Sequence, residues 1–358
     1  MKIQGLTQFS FHQWFIYVER DQDYRINMQK HFPTKVVHGG RILALRQEYG
    51  TDFLDISASM NPFVPQMSYD FRNIDVGAYP DDSYTVLKEK IGHVFSRDTD
   101  EICVGNGSAE LIRVYCNVVL SSQDTVRIDP PTFSEYGLSA KLAGANIVTG
   151  KDADVRFVCN PNNPTGILIS RDAMLSILDD CSRKNCRFFV DEAFMELAAH
   201  NESVSTIKSE NLFVMRSITK CFSVPGIRFG FGFGSEELIE KIETARTPWT
   251  VNAFAENYAI AAFDHYDELV SSAAKISAER EWYFARLIEV GLSFEQSSAN
   301  YILVHLGRNA SEFTESMLKH GILVRDCTSF GLPESIRISV ETREKNARVL
   351  EAMAECLH

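Results

Sequence analysis

The chain has 358 residues, of which 45% are hydrophobic, and its formal net charge is −12 at pH 7. A chain of this length can bury a large core and exceeds one typical domain, so we expect a large domain and a smaller one. The acidic balance disfavours nucleic acid and anionic membrane surfaces as partners. The sequence contains no apolar run long enough to span a bilayer.

Residues 1–37 are predicted to form an N-terminal extension or arm rather than a signal peptide. Polar residues interrupt the aromatic segment 9–18, and no small-residue cleavage site follows it. The eight cysteines include no CxxC pair, and Cys181 and Cys186 are too isolated to predict a zinc site. Scattered, mostly hydrophobic settings are typical of free thiols in a reducing compartment, so we expect a cytoplasmic protein that binds no metal.

Short apolar runs alternate with helical patterns through the middle of the chain. Such alternation, with strands that are hydrophobic on both faces, predicts an α/β fold with a mainly parallel, doubly wound sheet. The predicted strands are residues 101–105, 125–130, 155–160, 186–192, 211–217 and 227–234. The helices predicted between them are residues 109–120, 171–183 and 236–245.

The C-terminal third has a different order of elements. Residues 251–290 are predicted to form one long helix, which ends at Gly291. A strand (residues 299–306), a helix (311–321), two strands (322–326 and 335–340) and a final helix (342–357) follow. This order predicts a compact α+β unit. We therefore expect a small domain of residues 38–60 and 275–358, and a large domain of residues 61–274.

Several polar segments follow predicted strands, where ligands bind in open α/β sheets. Residues 105–110 (GNGSAE) open a helix whose amides could attract a phosphate, although a plain strand–helix turn is an equal alternative. Residues 160–166 (NPNNPTG) offer amide side chains, including Asn163, after a buried strand. Asp191 ends the next strand, and it could either cap a helix or keep a pyridine nitrogen protonated.

Lys220 lies between two predicted strands, in the segment Ser-Ile-Thr-Lys. Desolvation there would lower its pKa and suit imine formation, although a lysine considered alone is more often at the surface. Ser217, Thr219 and Arg228 would supply the hydroxyl groups and the positive charge that a phosphate needs. Together, these segments offer the parts that pyridoxal 5′-phosphate (PLP) requires.

These motifs, in this order, resemble the fold-type I PLP enzymes (the aspartate-aminotransferase superfamily) from about residue 38 to the C-terminus. The resemblance implies that Lys220 carries the cofactor as a Schiff base and that Asp191 pairs with the pyridine nitrogen. The other cofactor contacts that it implies are made by Ser108 and Ala109 (phosphate, through backbone amides), Ser217 and Arg228 (phosphate), Asn163 (3′-oxygen) and Phe133 (stacked on the ring).

Two further positions follow from the same resemblance. Tyr79, in AYPDDSY, matches a tyrosine that reaches the cofactor phosphate of the neighbouring subunit, which implies a homodimer. Arg337, in SIRISV, matches the arginine that binds the α-carboxylate of the substrate.

Three features are similar to threonine-phosphate decarboxylase of cobalamin biosynthesis. They are His38-Gly-Gly followed by DISASMNP, Phe194 where most relatives have tyrosine, and the segment PWTVN at 248–252. The resemblance implies that His38 and Arg325 contact the phosphate of the substrate. Ser59 replaces an asparagine at another such contact, and His38 could equally be a structural turn residue.

This resemblance predicts a lyase that decarboxylates O-phospho-L-threonine, or O-phosphoserine, to an amino alcohol phosphate. Histidinol-phosphate aminotransferase is the alternative, because that family shares Val324-Arg325-Asp326 and Arg337. A PLP-binding regulator or inactive paralogue is a third possibility. It predicts an appended DNA-binding module or a damaged site, and the sequence contains neither.

Overall fold

The structure is a computed structural model that describes residues 32–36, 39–40, 42–50 and 52–357. The described residues from 36 onward belong to one compact unit. The predicted N-terminal arm lies largely outside the described residues, and His38 lies outside them as well. Within the described ranges, no helix is both long and apolar enough to cross a membrane.

Strands and helices alternate along most of the chain. In chain order, the strands are β1 (Leu54–Asp55), β2 (Ile102–Gly105), β3 (Thr125–Ile128), β4 (Asn146–Val148), β5 (Val155–Cys159), β6 (Arg187–Asp191), β7 (Leu212–Ser217), β8 (Gly230–Phe233), β9 (Ser293–Phe294), β10 (Tyr301–His305), β11 (Ile322–Leu323), β12 (Arg325–Asp326) and β13 (Ser335–Ser339). The helices are α1 (Ile42–Tyr49), α2 (Thr85–Phe95), α3 (Ser108–Val119), α4 (Glu135–Leu142), α5 (Arg171–Arg183), α6 (Ile218–Cys221), α7 (Glu236–Ala245), α8 (Ala253–Phe263), α9 (Leu269–Glu289), α10 (Ala310–Lys319) and α11 (Arg343–Leu357).

A seven-stranded sheet of order β2-β8-β7-β6-β5-β3-β4 forms the centre of the fold. Its neighbouring strands are parallel, apart from the two pairs that include β8. The strands predicted between residues 101 and 234 all belong to this sheet, so the mainly parallel α/β prediction is confirmed. The edge strand β4 was missed because it has only three residues, none of them buried.

Successive residues of the central strands face two separate cores. Phe188 and Val190 of β6 pack in one apolar cluster, to which α2, α8 and α9 also contribute. Phe189, between them, packs in a second cluster with residues of α3, α4 and α7. Side chains alternate along a strand, so each face of the sheet buries its own set and carries its own helices. This is the doubly wound arrangement that the apolar runs predict.

The prediction of one long helix over residues 251–290 is wrong. Asn252 caps α8, which ends at Phe263, and a 3₁₀ turn at Tyr266–Glu268 separates α8 from α9. The ring of Tyr266 stacks on Phe263, and its hydroxyl donates a hydrogen bond to Glu196. These contacts hold Tyr266 against the core, and the helical pattern could not reveal them. The predicted stop is confirmed, because α9 ends just before Gly291.

The C-terminal elements form a four-stranded antiparallel sheet of order β12-β13-β10-β9, and β11 pairs separately with β1. The segment 322–326, predicted as one strand, is therefore divided between two sheets. The pairing of β1 with β11 joins residues near 55 to the C-terminal unit, as the proposed small domain requires. The exact domain boundaries stay a prediction.

Candidate cofactor and substrate site

Lys220 lies in α6, directly after β7, at the carboxyl end of the parallel strands. Its side-chain amine donates a hydrogen bond of 2.8 Å to the carbonyl oxygen of Ala58. The nitrogen is 5.9 Å from the centroid of the Phe194 ring. The amine is thus held at one defined point between the sheet and the segment that contains Ala58.

Burial lowers the pKa of Lys220 to about 7, together with the nearby positive charges of Arg337 and Arg228. A large fraction of the amine is therefore unprotonated at neutral pH. The unprotonated amine is the form that attacks a carbonyl carbon. Lys220 therefore meets the chemical requirement for imine formation.

Asp191 ends β6, the strand next to β7, and it is only 4% exposed. Its Oδ2 atom accepts a hydrogen bond of 2.6 Å from the hydroxyl of Tyr136, and its Oδ1 atom accepts one of 2.9 Å from the amide of Ala193. Burial raises the pKa of Asp191 to about 6, although both hydrogen bonds favour the ionised form. An ionised carboxylate in this position can pair with a protonated aromatic nitrogen.

A candidate phosphate cradle forms where the turn before α3 meets the segment before β8. A Cβ atom on Gly107 would lie 2.2 Å from Nη2 of Arg228, and one on Gly230 would lie 2.5 Å from the amide nitrogen of Ser108. Only glycine permits these approaches. They bring the Arg228 guanidinium to the first turn of α3, which begins with Ser108 and Ala109. A positive charge and helix-terminal amides at one place make an anion site.

The hydroxyl groups of Ser217 and Thr219 lie beside this cradle. They donate to the carbonyl oxygen of Phe229 at 3.2 and 3.5 Å, respectively. The amide of Thr219 also donates to the Ser217 hydroxyl at 3.2 Å. Because Phe229 directly follows Arg228, the structure brings together Ser217, Thr219 and Arg228, three of the residues that the sequence predicts at a phosphate.

Arg337, on β13, is buried and faces the end of β5. Its Nη1 atom donates to Oδ1 of Asn163, and Nη2 donates to the carbonyl oxygen of Ser57 at 2.8 Å. Its Nε atom has no hydrogen-bond partner among the described residues. The Asn163 oxygen is thus engaged, which leaves its amide nitrogen as a donor for a bound group. The side chain of Asn162, by contrast, is engaged within the surrounding loops.

Arg325 and Arg337 lie directly opposite each other in the antiparallel pair of β12 and β13. Side chains at such paired positions leave the same face of a sheet close together, and like charges there are destabilising without a partner. Nη2 of Arg325 donates to the Ser329 hydroxyl at 2.8 Å. Burial and the charge of Arg337 lower the pKa of Arg325.

A cavity of about 550 Å³ opens beside Arg325. Gly39 and Gly40 line it, and the amide of Gly40 donates to the Ser57 hydroxyl at 3.3 Å. A Cβ atom on Gly39 would lie 3.1 Å from the Ser57 carbonyl oxygen and 3.7 Å from Cδ of Arg325. Gly39 of the His-Gly-Gly motif therefore lies close to Arg325, whereas His38 is outside the described residues.

Ser59 is 1% exposed, and its described hydrogen bonds connect it to the protein itself. Its amide donates to the Ser339 hydroxyl at 2.9 Å, and that hydroxyl donates to the Ser59 hydroxyl at 3.4 Å. Asn300 donates to the Ser59 carbonyl oxygen at 2.8 Å. The contact of Ser59 with a substrate phosphate stays a prediction.

Sequence reasoning missed two tyrosines of this site. Tyr136 follows Phe133 by three residues, and their ring centroids are 5.5 Å apart at 80°. Tyr301 packs edge-on against Phe194 at 4.9 Å, and its ring centroid is 4.9 Å from Cζ of Arg337. A buried hydroxyl needs a hydrogen-bond partner. That requirement is the signal that could have drawn attention to Tyr136.

Tyr79 lies at the surface and is 79% exposed. Its ring stacks on Trp249, with 4.5 Å between the centroids and an interplanar angle of 28°. Phe71, Val76 and Phe254 are also exposed large hydrophobic residues. Exposed aromatic side chains are enriched at protein interfaces.

The residues present fit PLP. The cradle that a Cβ atom on Gly107 would fill suits the phosphate, and the deprotonatable amine of Lys220 suits the aldehyde. The Asp191 carboxylate suits the ring nitrogen, and Phe133 offers an aromatic surface. Within the described residues, no cluster of three or more His, Cys, Asp or Glu side chains could hold a metal ion.

The family model for class I and II aminotransferases matches residues 74–353. The chain belongs to this family. Members of the family are PLP-dependent enzymes, so both the fold-type I prediction and the PLP prediction are confirmed.

Two relatives represent the two activities that the motifs suggest. The chain is 30% identical over 345 residues to the histidinol-phosphate aminotransferase of Geobacillus sp. (strain WCH70), covering 89% of this chain and 94% of that protein. It is 33% identical over 346 residues to a provisionally named threonine-phosphate decarboxylase of Caldanaerobacter subterraneus subsp. tengcongensis, covering 88% of this chain and 92% of that protein.

Solved structures of both kinds share the fold. The histidinol-phosphate aminotransferase from Clostridium acetobutylicum matches with a TM-score of 0.77 and 28% identity, covering 85% of this chain and 99% of that one. The L-threonine-O-3-phosphate decarboxylase from Porphyromonas gingivalis matches with a TM-score of 0.74 and 22% identity, covering 84% and 98%. The second likeness concerns the fold alone.

Proposed function

We propose that the residues described above bind PLP and an anionic substrate. Lys220 binds the cofactor covalently, and Asp191 pairs with its ring nitrogen. The lowered pKa of Lys220 and the approach of Arg228 to Gly107 support these assignments. The remaining cofactor contacts that we propose are made by Ser108, Ala109, Ser217, Thr219 and Arg228 at the phosphate, Asn163 at the 3′-oxygen and Phe133 at the ring face.

We further propose that the enzyme decarboxylates O-phospho-L-threonine, or O-phosphoserine, to an amino alcohol phosphate. The observation that carries this proposal is the contact of Gly39, in the His-Gly-Gly motif, with Arg325, which the strand register sets opposite Arg337. Two adjacent guanidinium groups suit a small substrate with two anionic groups, and a phosphorylated amino acid has a carboxylate and a phosphate. Histidinol phosphate has only one anionic group. His38, which precedes Gly39 in the chain, is proposed to contact the same phosphate.

The anchoring residues would also select the reaction. When bound, PLP withdraws electrons from the α-carbon of the substrate, so that either the carboxylate or the hydrogen can leave. Arg337 holds the α-carboxylate, while Arg325 and His38 hold the phosphate at the other end. Fixing both ends restricts rotation about the α-carbon and therefore favours one bond for cleavage. Lys220, with a pKa of about 7, can accept and return a proton near neutral pH.

Histidinol-phosphate aminotransferase activity is the second candidate. Relatives with that name are numerous among the similar proteins, and two of them are 30% and 31% identical to this chain. The pair of Arg325 and Arg337 could also hold the two carboxylates of an amino donor such as glutamate. The requirement for a keto acid separates the two candidates, because transamination consumes one and decarboxylation does not.

We propose that the enzyme is a homodimer in which Tyr79 reaches the cofactor phosphate of the partner subunit. The exposed stack of Tyr79 on Trp249 supports this assignment. We also propose a cytoplasmic enzyme, since its eight cysteines are free thiols and seven of them are buried. A role in cobalamin biosynthesis belongs to the proposal that O-phospho-L-threonine is the substrate.

The decisive experiment uses PLP-loaded protein and carboxyl-labelled O-phospho-L-threonine without any keto acid. We expect labelled CO2 to be released over many turnovers, and O-phosphoserine is then the next substrate to compare. The second candidate predicts no release, and instead predicts glutamate formation from histidinol phosphate and 2-oxoglutarate. That outcome would overturn the decarboxylase proposal and leave His38 a structural residue.

Arg325→Gln provides the matched test of the substrate phosphate. We expect a higher KM for O-phospho-L-threonine and an unchanged affinity for PLP, because Arg325 is proposed to bind only the substrate. Arg308→Gln is the control, since this exposed arginine donates to the carbonyl oxygens of Cys356 and Leu357 near the end of α11. Equal kinetics of Arg325→Gln and wild type would contradict the proposed contact.

A further inference from the structure

Tyr136 is a buried tyrosine that the proposed function leaves without a role. It lies at the start of α4 and is 0% exposed. Its ring stacks on Phe157 with 5.2 Å between centroids and meets Phe133 edge-on at 5.5 Å. These contacts hold the ring on two sides, so its hydroxyl has one defined position.

In that position, the Tyr136 hydroxyl donates a hydrogen bond of 2.6 Å to Oδ2 of Asp191. The thiol of Cys159 also lies within reach. Burial raises the pKa of Tyr136 well above its usual value, and so does the negative charge of Asp191. The hydroxyl therefore keeps its proton at all ordinary pH values and remains a donor.

Asp191 depends on this donor because little else stabilises its charge. The amide of Ala193 is its other hydrogen-bond donor, and the neighbouring charge of Glu192 opposes ionisation. No lysine or arginine of the described chain acts on its ionisation. A hydrogen bond to an ionised group contributes more than one between neutral groups. Removing the hydroxyl would therefore favour the neutral acid.

We propose that Tyr136 is a positioning residue, whose hydroxyl keeps the Asp191 carboxylate ionised and oriented toward the ring nitrogen of the cofactor. This inference rests on the proposed pairing of Asp191 with that nitrogen. The Tyr136 bond occupies Oδ2 and the Ala193 bond occupies Oδ1, so the carboxylate cannot rotate without breaking both. The lone pairs that remain on these oxygens are available to a proton on the ring nitrogen.

The test compares two cofactors in apoenzyme binding. PLP has a basic ring nitrogen, whereas 1-deazapyridoxal 5′-phosphate has carbon at that position. We expect Tyr136→Phe to bind PLP about tenfold more weakly than wild type, and to bind the deaza analogue equally well. The ring contact with Phe157 is retained in this variant, so packing changes little. Tyr136→Met removes the same hydroxyl and serves if the first variant does not fold.

Tyr115→Phe is the matched control. Tyr115 is also buried in this cluster, 1% exposed, with its ring 4.8 Å from that of Phe189. It is not one of the two hydrogen-bond donors to Asp191. We expect this variant to bind both cofactors as the wild type does. If Tyr136→Phe weakens the two cofactors equally, its role is packing and the proposal is overturned; unchanged binding of both overturns it too.

Asp191→Asn separates failure of this inference from failure of the proposed site. We expect this variant to lose the preference for PLP over the deaza analogue, and the second change Tyr136→Phe to add no further loss. If Asp191→Asn keeps the wild-type preference, the pairing of Asp191 with the ring nitrogen is wrong. If it loses the preference while Tyr136→Phe keeps it, only the role of Tyr136 is wrong. No substrate is used, so the result is independent of the reaction catalysed.

Discussion

The side-chain amine of Lys220 donates a hydrogen bond of 2.8 Å to the main-chain carbonyl oxygen of Ala58. The preceding carbonyl oxygen, that of Ser57, accepts a bond of 2.8 Å from Arg337. Two consecutive peptide groups therefore hold the amine proposed to bind the cofactor and the guanidinium proposed to bind the substrate. A shift of this segment would move both groups at once.

The first prediction concerns the covalent link to the cofactor. Lys220→Ala removes the amine, so we expect the purified protein to lose the visible absorption of lysine-bound PLP. The phosphate cradle around Arg228 is untouched, and PLP should still bind non-covalently and be removable by dialysis. Absorption spectra before and after dialysis measure both effects. The control is Lys208→Ala, which removes an exposed lysine paired with Asp98. A visible band that persists in Lys220→Ala would show that another amine carries the cofactor.

The second prediction concerns pH. The pKa of Lys220 is lowered to about 7, so the reactive unprotonated fraction rises from about a tenth at pH 6 to about nine-tenths at pH 8. The rate at which apoenzyme takes up PLP covalently should increase across this range, with a midpoint near neutral pH. Stopped-flow absorption of the lysine-bound cofactor measures it. A midpoint near the ordinary lysine pKa would contradict the described burial of the amine.

A variant of the neighbouring arginine tests the cause of this shift. The positive charge of Arg337 lowers the pKa of Lys220, so Arg337→Gln should move the midpoint of PLP uptake to higher pH. The same variant should bind the amino acid substrate more weakly, because the proposed carboxylate partner is lost. Arg343→Gln, which changes an exposed arginine paired with Glu279, should leave the midpoint in place.

The sequence could predict that Asn163, Asp191 and Ser217 come together, because each lies at or just after the carboxyl end of a buried strand of one sheet. The carboxyl ends of parallel strands meet at one edge, so Asn163, Asp191 and Ser217 had to lie near one another once the strands were recognised. The paired register of Cys159 with Asp191, and of Asp191 with Met215, fulfils that expectation. Short sequence patterns at the strand ends were sufficient, because every parallel strand ends at the same edge of the sheet.

Features that depend on contacts between distant segments were beyond sequence reasoning. The chain turns between α8 and α9 because Tyr266 packs on Phe263 and bonds Glu196, which lies 70 residues earlier. Tyr136 was missed because its partner, Asp191, is 55 residues away. The facing of Arg325 and Arg337 depends on strand register, which the spacing of the two residues in the chain does not reveal.

The third prediction concerns the phosphate cradle. A methyl group on Gly107 would meet the Arg228 guanidinium at 2.2 Å, so Gly107→Ala should displace that side chain and weaken PLP affinity strongly. Gly291→Ala is the control, because Gly291 has φ 76° against 78° for Gly107 but has no atom within 4 Å of an added methyl group. Backbone strain should also lower the stability of both variants, by about 1 kcal/mol for Gly291→Ala and by more for Gly107→Ala, because the ψ of 158° at Gly107 lies in a region that is essentially restricted to glycine. Equal PLP affinity in the two would disprove the cradle.

The fourth prediction concerns a buried charge network behind the site. Arg216, on β7, lies 3.0 Å from Glu192 and donates a hydrogen bond to Glu196. All three side chains are almost fully buried. Side chains alternate along β7, so Arg216 faces away from Ser217 and from the cofactor residues that follow it. The network therefore stabilises the carboxyl ends of β6 and β7, where Asp191 and Lys220 lie.

Arg216→Met should lower the free energy of unfolding by about 3–5 kcal/mol, because it leaves two glutamates buried without their cation. Burial raises the pKa of Glu192, and loss of the arginine, which lowers it, would raise it further. A carboxyl group with a raised pKa in the folded state stabilises at low pH and loses that contribution as pH rises. The variant should therefore lose more stability at pH 8 than at pH 5, as measured by urea unfolding. A small, pH-independent loss would mean that water or another residue already compensates these charges.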